Sequence, residues 1–181
     1  MILANTFQDC KSLTDFQFIG NSSNTAELYN STFKGCTNLK NISGVGANIK
    51  DSAFYGCTNL LDTFFDAKKN PLYGYIGDSA FYNCTAFLNV NMLSYGDFRG
   101  IGLSAFYGCS NMKSFAVERI TVFQKSTFEN CSSLEALILT STTKIIRVAN
   151  SNFLNNTKIK AGTGYIYVSD NLVDSYKTAT N

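Results

Sequence analysis

The 181-residue sequence contains no histidine, no tryptophan and a single proline. Without histidine, the chain cannot supply a histidine-ligated metal site or a Ser–His or Cys–His catalytic pair. Charged residues make up only 15% of the chain and the net charge is +2, so no basic excess exists to bind a nucleic-acid backbone. The apolar fraction of 45% is ordinary for a globular protein and argues against intrinsic disorder.

Segments that direct a chain to a membrane are also lacking. No apolar run approaches the roughly 18 residues of a membrane-spanning helix. Residues 1–6 have neither the basic region nor the long apolar region of a signal peptide. We therefore expect either a protein that stays inside the cell or a piece of a longer one.

The six cysteines reveal an internal repeat. Each lies three residues after a phenylalanine, and successive phenylalanines are 21 to 27 residues apart. A seventh copy keeps the phenylalanine, Phe153, and has Asn156 in the cysteine position. A serine usually stands two residues before the phenylalanine, and an apolar residue stands three after the cysteine. The pairs are Phe7/Cys10, Phe33/Cys36, Phe54/Cys57, Phe81/Cys84, Phe106/Cys109 and Phe128/Cys131.

This repeat predicts a solenoid. A unit of about 24 residues cannot bury its own apolar face, so neighbouring units must stack into one continuous core. The alternating stretch after each cysteine, such as Phe115 with Val117, indicates a strand that pairs in parallel with its neighbours in one long sheet. A second apolar stretch, such as Ile120 with Phe123, predicts a second line of strands or extended turns. The serine-to-cysteine segment predicts a single helical turn with the serine as its N-cap.

Three stretches resemble the BspA-type leucine-rich repeat family, whose units read approximately I-G-x-x-A-F-x-x-C-x-x-L. They are residues 49–57, 76–84 and 101–109. The resemblance covers residues 2–160, and the tail at 165–177 is similar to the closing segment of many such proteins. The proline that follows the strand in the family is missing from every copy.

The resemblance implies an α/β repeat fold, a right-handed leucine-rich-repeat solenoid that is rich in strands and has short helical turns. The repeats would occupy residues 1–164 in about seven units, the first incomplete, and residues 165–181 would form a C-terminal strand and helical cap. The cap's apolar face would consist of Leu172, Val173, Tyr176 and Ala179. No such cap precedes the first unit, so we expect possible end-to-end self-association there.

The cysteines allow two interpretations. Equivalent positions favour a ladder of buried free thiols, because buried cysteine behaves as a small hydrophobe and side chains stacked about 5 Å apart lack disulfide geometry. Asn156 supports the ladder if a core position near a cap accepts polarity. A disulfide framework is the alternative, as six cysteines in a secreted protein often form one. A zinc site is not expected, since the sequence has no C-x-x-C pair.

The open face of the first sheet is the predicted binding surface. Residues that alternate with core positions face outward there, and exposed apolar side chains among them are typical anchors for a partner. The candidates are Asp62, Phe64, Asp66, Asn89, Asn91, Leu93, Glu118 and Ile138. A second candidate is a stripe of tyrosines on the turns, with the alternative that these rings only pack over neighbouring turns. Its members are Tyr55, Tyr82 and Tyr107.

Asp62 and Asp66 flank Phe64, and such a pair has three interpretations: catalytic carboxylates, a cation site or two solvated side chains. An open sheet face provides no cleft to raise the pKa of an acid, which favours solvated side chains. We expect no catalytic, cofactor-binding or metal-ligating residue. Loops at residues 20–26 and 66–75 either line a binding edge or reflect ordinary loop variation.

The resemblance implies a surface-exposed or secreted protein that binds other macromolecules and has no enzymatic activity. The leading hypothesis is an adhesin-like module that recognises a protein or glycan, for example of a host matrix, without a cofactor. The alternative is a structural spacer or assembly segment of a longer surface or phage-tail-like protein.

Overall fold

The chain coils through two lines of short strands. We describe residues 3–19, 26–62, 74–93, 98–141 and 146–178 of a computed structural model. Within these residues every ladder between strands is parallel. The prediction of a strand-rich parallel solenoid is confirmed.

Each copy of the repeat contributes strands of only two to five residues. In chain order the strands are β1 (Asp15–Gln17), β2 (Ala26–Leu28), β3 (Asn41–Ser43), β4 (Val45–Ile49), β5 (Gly74–Ile76), β6 (Asn89–Met92), β7 (Phe98–Ile101), β8 (Ser114–Val117), β9 (Val122–Phe123), β10 (Ala136–Leu139), β11 (Arg147–Val148) and β12 (Tyr165–Val168). Two 3-10 turns and one helix complete the described elements: Ser151–Leu154, Asp170–Leu172 and α1 (Val173–Thr178).

The first line of strands forms two sheets among the described residues. One pairs β1 with β3, and the other has the order β6-β8-β10-β12. The third copy was expected to link them into one long sheet, but its residues 63–66 lie outside the described residues. The predicted second line is confirmed as a six-stranded sheet in the order β2-β4-β5-β7-β9-β11.

Phenylalanine rings form the central column of the core. Phe33, Phe54, Phe81 and Phe106 are fully buried, and successive rings stack with centroids 5.3 to 5.5 Å apart at interplanar angles of 3° to 11°. This separation is close to the spacing of neighbouring parallel strands. Equivalent rings therefore stack on one another without displacing the backbone.

The thiols form a second column beside the rings. In five copies the cysteine Sγ donates to the carbonyl oxygen of the motif phenylalanine in the preceding copy, at 2.9 to 3.2 Å. All six cysteines are free, and only Cys10 is exposed. Burial raises the pKa of Cys36 to about 11 and raises the pKa of Cys84 and Cys109 well above its ordinary value. The structure thus contains the predicted thiol ladder and no disulfide between its described cysteines.

The serine before each phenylalanine is not a helix N-cap, so this part of the prediction is wrong. An N-cap has an extended backbone, whereas these serines have φ between +52° and +56°. A second left-handed residue follows the phenylalanine by two positions. Two such residues make a tight turn whose alternate N–H groups donate to the next copy, as Phe81 N does to Ala105 O at 2.8 Å. The serines are Ser31, Ser52, Ser79, Ser104 and Ser126, and the second set is Asp9, Gly35, Gly56, Asn83, Gly108 and Asn130.

The seventh copy is offset by one residue from its predicted alignment. The Phe128 N–H donates to the carbonyl of Phe153, whereas in earlier copies that carbonyl belongs to the residue before the phenylalanine. Leu154 therefore occupies the phenylalanine position, and Thr157, which is 3% exposed, occupies the cysteine position. Asn156 is exposed and left-handed, with φ +57°. It is not a core residue, so it is no evidence for the ladder.

The predicted C-terminal helix is present but short. Ser169 precedes the 3-10 turn that leads into the helix, and its side chain makes no capping hydrogen bond. Tyr176 anchors α1 to the repeats, because its hydroxyl accepts the Ile146 N–H at 2.8 Å. Ala179, the last residue of the predicted apolar face, lies outside the described residues.

We predict that Phe106→Ala lowers the free energy of unfolding by about 3–5 kcal/mol, as expected when a buried aromatic ring leaves a cavity. Phe106 stacks on Phe81 and Phe128 and also meets Phe115 edge-on. Leu103→Ala is the control, because Leu103 is 44% exposed and should lose less than about 1 kcal/mol. Urea unfolding measures both, and equal losses would show that the ring column is not the core.

We predict that Gly77→Ala is more destabilising than Gly56→Ala. A Cβ on Gly77 would lie 2.6 Å from the backbone nitrogen of Asp51, so the neighbouring turn must shift. We expect this shift to lower the free energy of unfolding by about 2–3 kcal/mol. A Cβ on Gly56 meets nothing within 4 Å, and only its φ of +73° opposes alanine, at about 1–2 kcal/mol. Thermal unfolding of the two variants tests the order, which would be reversed if the copies were more loosely stacked at Gly77.

We predict that one thiol, Cys10, reacts quickly with a bulky thiol reagent in the native protein, and that six react after denaturation without reductant. The other five are buried and shielded from the reagent, and burial also raises the pKa of Cys36, Cys57, Cys84 and Cys109, which keeps those four in the unreactive thiol form. Timed titration with a chromogenic disulfide counts them. Fewer than six thiols after denaturation would mean that the chain contains disulfides.

Candidate functional site

The open sheet face consists of two rows of side chains that point away from the core. Strand register aligns equivalent positions of β1 with β3 and of β6 with β8, β10 and β12. The first row contains Asp15, Asn41, Asn89, Ser114, Ala136 and Tyr165, and the second contains Gln17, Ser43, Asn91, Ala116, Ile138 and Tyr167. Both rows change from polar residues at the N-terminal end to apolar and aromatic residues at the C-terminal end.

Hydrogen bonds connect the polar side chains along the first row. Asn41 Nδ2 donates to Asp15 Oδ1 at 2.7 Å, and Ser114 Oγ donates to Asn89 Oδ1 at 2.9 Å. The hydrogen bond from Asn41, followed by one from Thr14, lowers the pKa of Asp15. Because these polar side chains hydrogen-bond to one another, this half of the face has fewer polar groups available to a partner.

Asp62 belongs to the same network. Its Oδ2 accepts the backbone N–H of Asn89 at 2.9 Å, which ties the third copy to the start of β6. Phe64 and Asp66 lie outside the described residues, so the predicted carboxylate pair cannot be assembled from them. No group of three metal-ligating side chains occurs in the described parts of the chain.

The apolar half of the open sheet face was only partly anticipated. Ile138 was a candidate, and it lies between Ala116 and Tyr167 in the second row. Tyr165 and Tyr167 are 66% and 54% exposed, and their ring centroids are 6.2 Å apart. Sequence reasoning predicted a C-terminal strand within residues 165–181 but did not place it in the open sheet face, so it missed both tyrosines as candidates. The ladder between β12 and β10 makes that segment the last strand of the sheet.

The remaining candidates lie at strand ends. Asn91 Oδ1 accepts the Leu93 N–H at 3.0 Å, which turns the chain at the end of β6. Glu118 follows β8, and its carboxylate lies 3.6 Å from the guanidinium of Arg119. Both side chains of this ion pair are well exposed, so it contributes little to stability. The structure thus brings Asn91 and Ile138 into one row and places Leu93 and Glu118 just beyond it.

The tyrosine stripe forms a third stacked column. Tyr55, Tyr82 and Tyr107 stack with centroids 4.6 and 4.5 Å apart at interplanar angles of 8°. Lys34 Nζ lies 5.3 Å from the Tyr55 ring at one end, and the Asn130 amide donates to the Tyr107 hydroxyl at the other. Desolvation, and then the neighbouring hydroxyls, raise the pKa of Tyr82. Because the ring faces cover one another, this geometry favours the packing interpretation.

In the part of the chain that the structure describes, no helix has the length and apolar character needed to cross a membrane.

Comparison with known proteins agrees with the coiled geometry. The family described as BspA type leucine rich repeat region matches residues 1–74 and 47–171, in six copies. A crystal structure of a leucine-rich repeat protein from Bacteroides ovatus aligns with a TM-score of 0.61 at 19% identity, covering 87% of this chain and 45% of that one. A leucine rich repeat protein of T. pallidum aligns with a TM-score of 0.64 at 20% identity, covering 99% of this chain and 76% of that one. This chain therefore spans less than half of the first and about three quarters of the second. No curated protein matches.

Proposed function

The chain belongs to the BspA type leucine-rich repeat family, and from this we propose that it is a non-enzymatic binding module. It recognises a protein or glycan through the apolar half of the open sheet face. Extended sheet surfaces are the usual recognition surfaces of solenoids. The proposal names the site as Ile138, Tyr165 and Tyr167, with Asn91 and Glu118 at its rim.

The exposed tyrosines are the observation that carries the proposal. A tyrosine combines a large apolar ring with a hydroxyl and loses little conformational entropy on binding, which makes it a frequent anchor at interfaces. Tyr165 and Tyr167 are both more than half exposed on a strand whose backbone is held by β10. Anchors on a strand are already positioned before a partner arrives, and this reduces the entropic cost of binding.

An adhesin-like role at the cell surface or in the secreted fraction fits this surface. The site has an aromatic centre, with the Glu118–Arg119 and Glu135–Lys158 ion pairs near it. Such a mixture suits a protein surface, and tyrosine faces also suit the apolar faces of sugar rings. The support for the location is the family resemblance.

The second candidate function is a structural spacer within a longer surface or phage-tail-like protein. It is favoured by the polar half of the open sheet face, where Asp15, Asn41, Asp62, Asn89 and Ser114 bond within the protein. It is also favoured by the length of the B. ovatus protein, of which the alignment covers 45%.

We predict that Tyr167→Ala weakens binding at least tenfold in a screen of the purified chain against immobilised matrix proteins, mucins and glycans. A loss of about 1.4 kcal/mol corresponds to that factor, and a central aromatic anchor commonly exceeds it. The melting temperature should stay unchanged, because Tyr167 points away from the core.

Tyr82→Ala is the matched control on the tyrosine stripe. Binding that depends on Tyr82 and not on Tyr167 would move the site to the turns. An absence of saturable binding across the screen would favour the spacer.

A further inference from the structure

Among the described residues, β12 is the outermost strand of its sheet and pairs along one edge, with β10. Its Tyr165 N–H donates to the Glu135 carbonyl at 2.7 Å, toward β10. Because hydrogen-bonding groups of a strand alternate between its two edges, the amides of Ile166 and Val168 point away from β10. Among the described residues neither of these two amides has a hydrogen-bond partner.

The same edge lacks the features that usually protect a strand from pairing. Natural edge strands carry lysine, proline, a bulge or an inward-pointing charge. β12 reads Tyr-Ile-Tyr-Val and is regularly paired with β10 over all four residues. Tyr165, Ile166 and Tyr167 are 66%, 47% and 54% exposed, so both faces of the strand present apolar surface.

A cavity of about 470 Å³ lies beside the inward face of β12. Ile166 lines it together with the last core residues, among them Leu137, Phe153 and Leu154. Tyr176 of α1 also lines it, and its hydroxyl accepts the N–H of Ile146, another lining residue. The core of the solenoid is therefore still open to an apolar side chain at this end.

We propose that the free edge of β12 binds an extended peptide segment of a partner protein by β-strand addition. The peptide's backbone pairs with Ile166 and Val168. Its apolar residues at alternate positions face the cavity, and the residues between them lie beside Tyr165 and Tyr167. Only an extended backbone can meet donors and acceptors that alternate along a strand, which identifies the occupant as a strand rather than a helix or a small molecule. The proposal is independent of which macromolecule the open sheet face binds.

The probe is a fluorescein-labelled peptide with the sequence of residues 113–119, Lys-Ser-Phe-Ala-Val-Glu-Arg. These residues contain β8, which already pairs in parallel with its neighbours, and the charged ends keep the peptide soluble. If the peptide follows β12 in the register in which β10 follows β8, its phenylalanine and valine side chains face the cavity. The backbone N–H of its alanine then points toward β12.

The full chain, labelled with nitrogen-15, is titrated with this peptide while amide hydrogen exchange is followed by NMR. Exchange at Ile166 and Val168 should slow at least tenfold at saturation, whereas exchange at Tyr165 and Tyr167 should change little. A peptide N-methylated at its alanine should bind at least tenfold more weakly. The control peptide, N-methylated at its phenylalanine, should bind like the parent.

Two variants at Ile166 distinguish the contribution of its backbone N–H to peptide binding from the contribution of its side chain. Ile166→Pro removes the outward amide and leaves the hydrogen bond from the Tyr165 N–H to β10 in place, a position for proline that edge strands tolerate. It should weaken peptide binding at least tenfold more than Ile166→Ala, which removes only the side chain.

Three results would overturn the proposal. The first is no binding of the peptide at millimolar concentration. The second is binding without slower exchange at Ile166 and Val168, which would place the peptide on a face. The third is protection of these amides in the free protein that is lost on dilution, because a second copy of the chain would then occupy the edge. None of them affects the screen with Tyr167→Ala, because that screen measures binding to immobilised macromolecules and does not depend on amide exchange at Ile166 and Val168.

Discussion

The separation of about 5 Å between parallel backbone ladders is the constraint on which the other columns of this solenoid depend. The phenylalanine rings stack at 5.3 to 5.5 Å and the tyrosine rings at 4.5 to 4.6 Å, because each ring belongs to a copy held at that distance. The thiols reach the carbonyls of the preceding copy for the same reason. Each copy meets only its neighbours, so a substitution such as Phe106→Ala should act locally.

Close stacking also explains which residues the turns accept. Asp51 Oδ1 accepts the Asp78 N–H at 2.9 Å, and Asp78 Oδ1 accepts the Leu103 N–H at 2.7 Å. The carboxylates lie against the glycines of the next copies, so Gly77 and Gly102 have no room for a Cβ. Glycine, asparagine and aspartate recur at the second left-handed position because they visit positive φ most readily, glycine best of all.

The open sheet face and the edge of β12 are the two surfaces proposed for recognition, and they differ in what they present to a partner. The face offers aromatic side chains on a fixed backbone, whereas the edge offers unpaired backbone groups above an open cavity. In the polar half of the same face, side chains of neighbouring copies hydrogen-bond to one another and so help to hold the copies together. Along the sheet, polar side chains that hydrogen-bond to one another therefore give way to exposed apolar side chains.

The sequence alone predicted the repeat, the first line of parallel strands and the family, because periodic burial leaves a periodic pattern of Phe, Cys and Leu. It favoured the free-thiol ladder over disulfides and left the second line as strands or extended turns. It did not determine the left-handed serines, since a serine before a turn is equally typical of an N-cap. Nor did it determine the one-residue offset that puts Leu154 and Thr157 in the core in place of Phe153 and Asn156. Only the tertiary structure decided that Tyr165 and Tyr167 join the sheet face. That assignment depends on the pairing of β12 with β10, a contact between residues about 29 positions apart that no local pattern records.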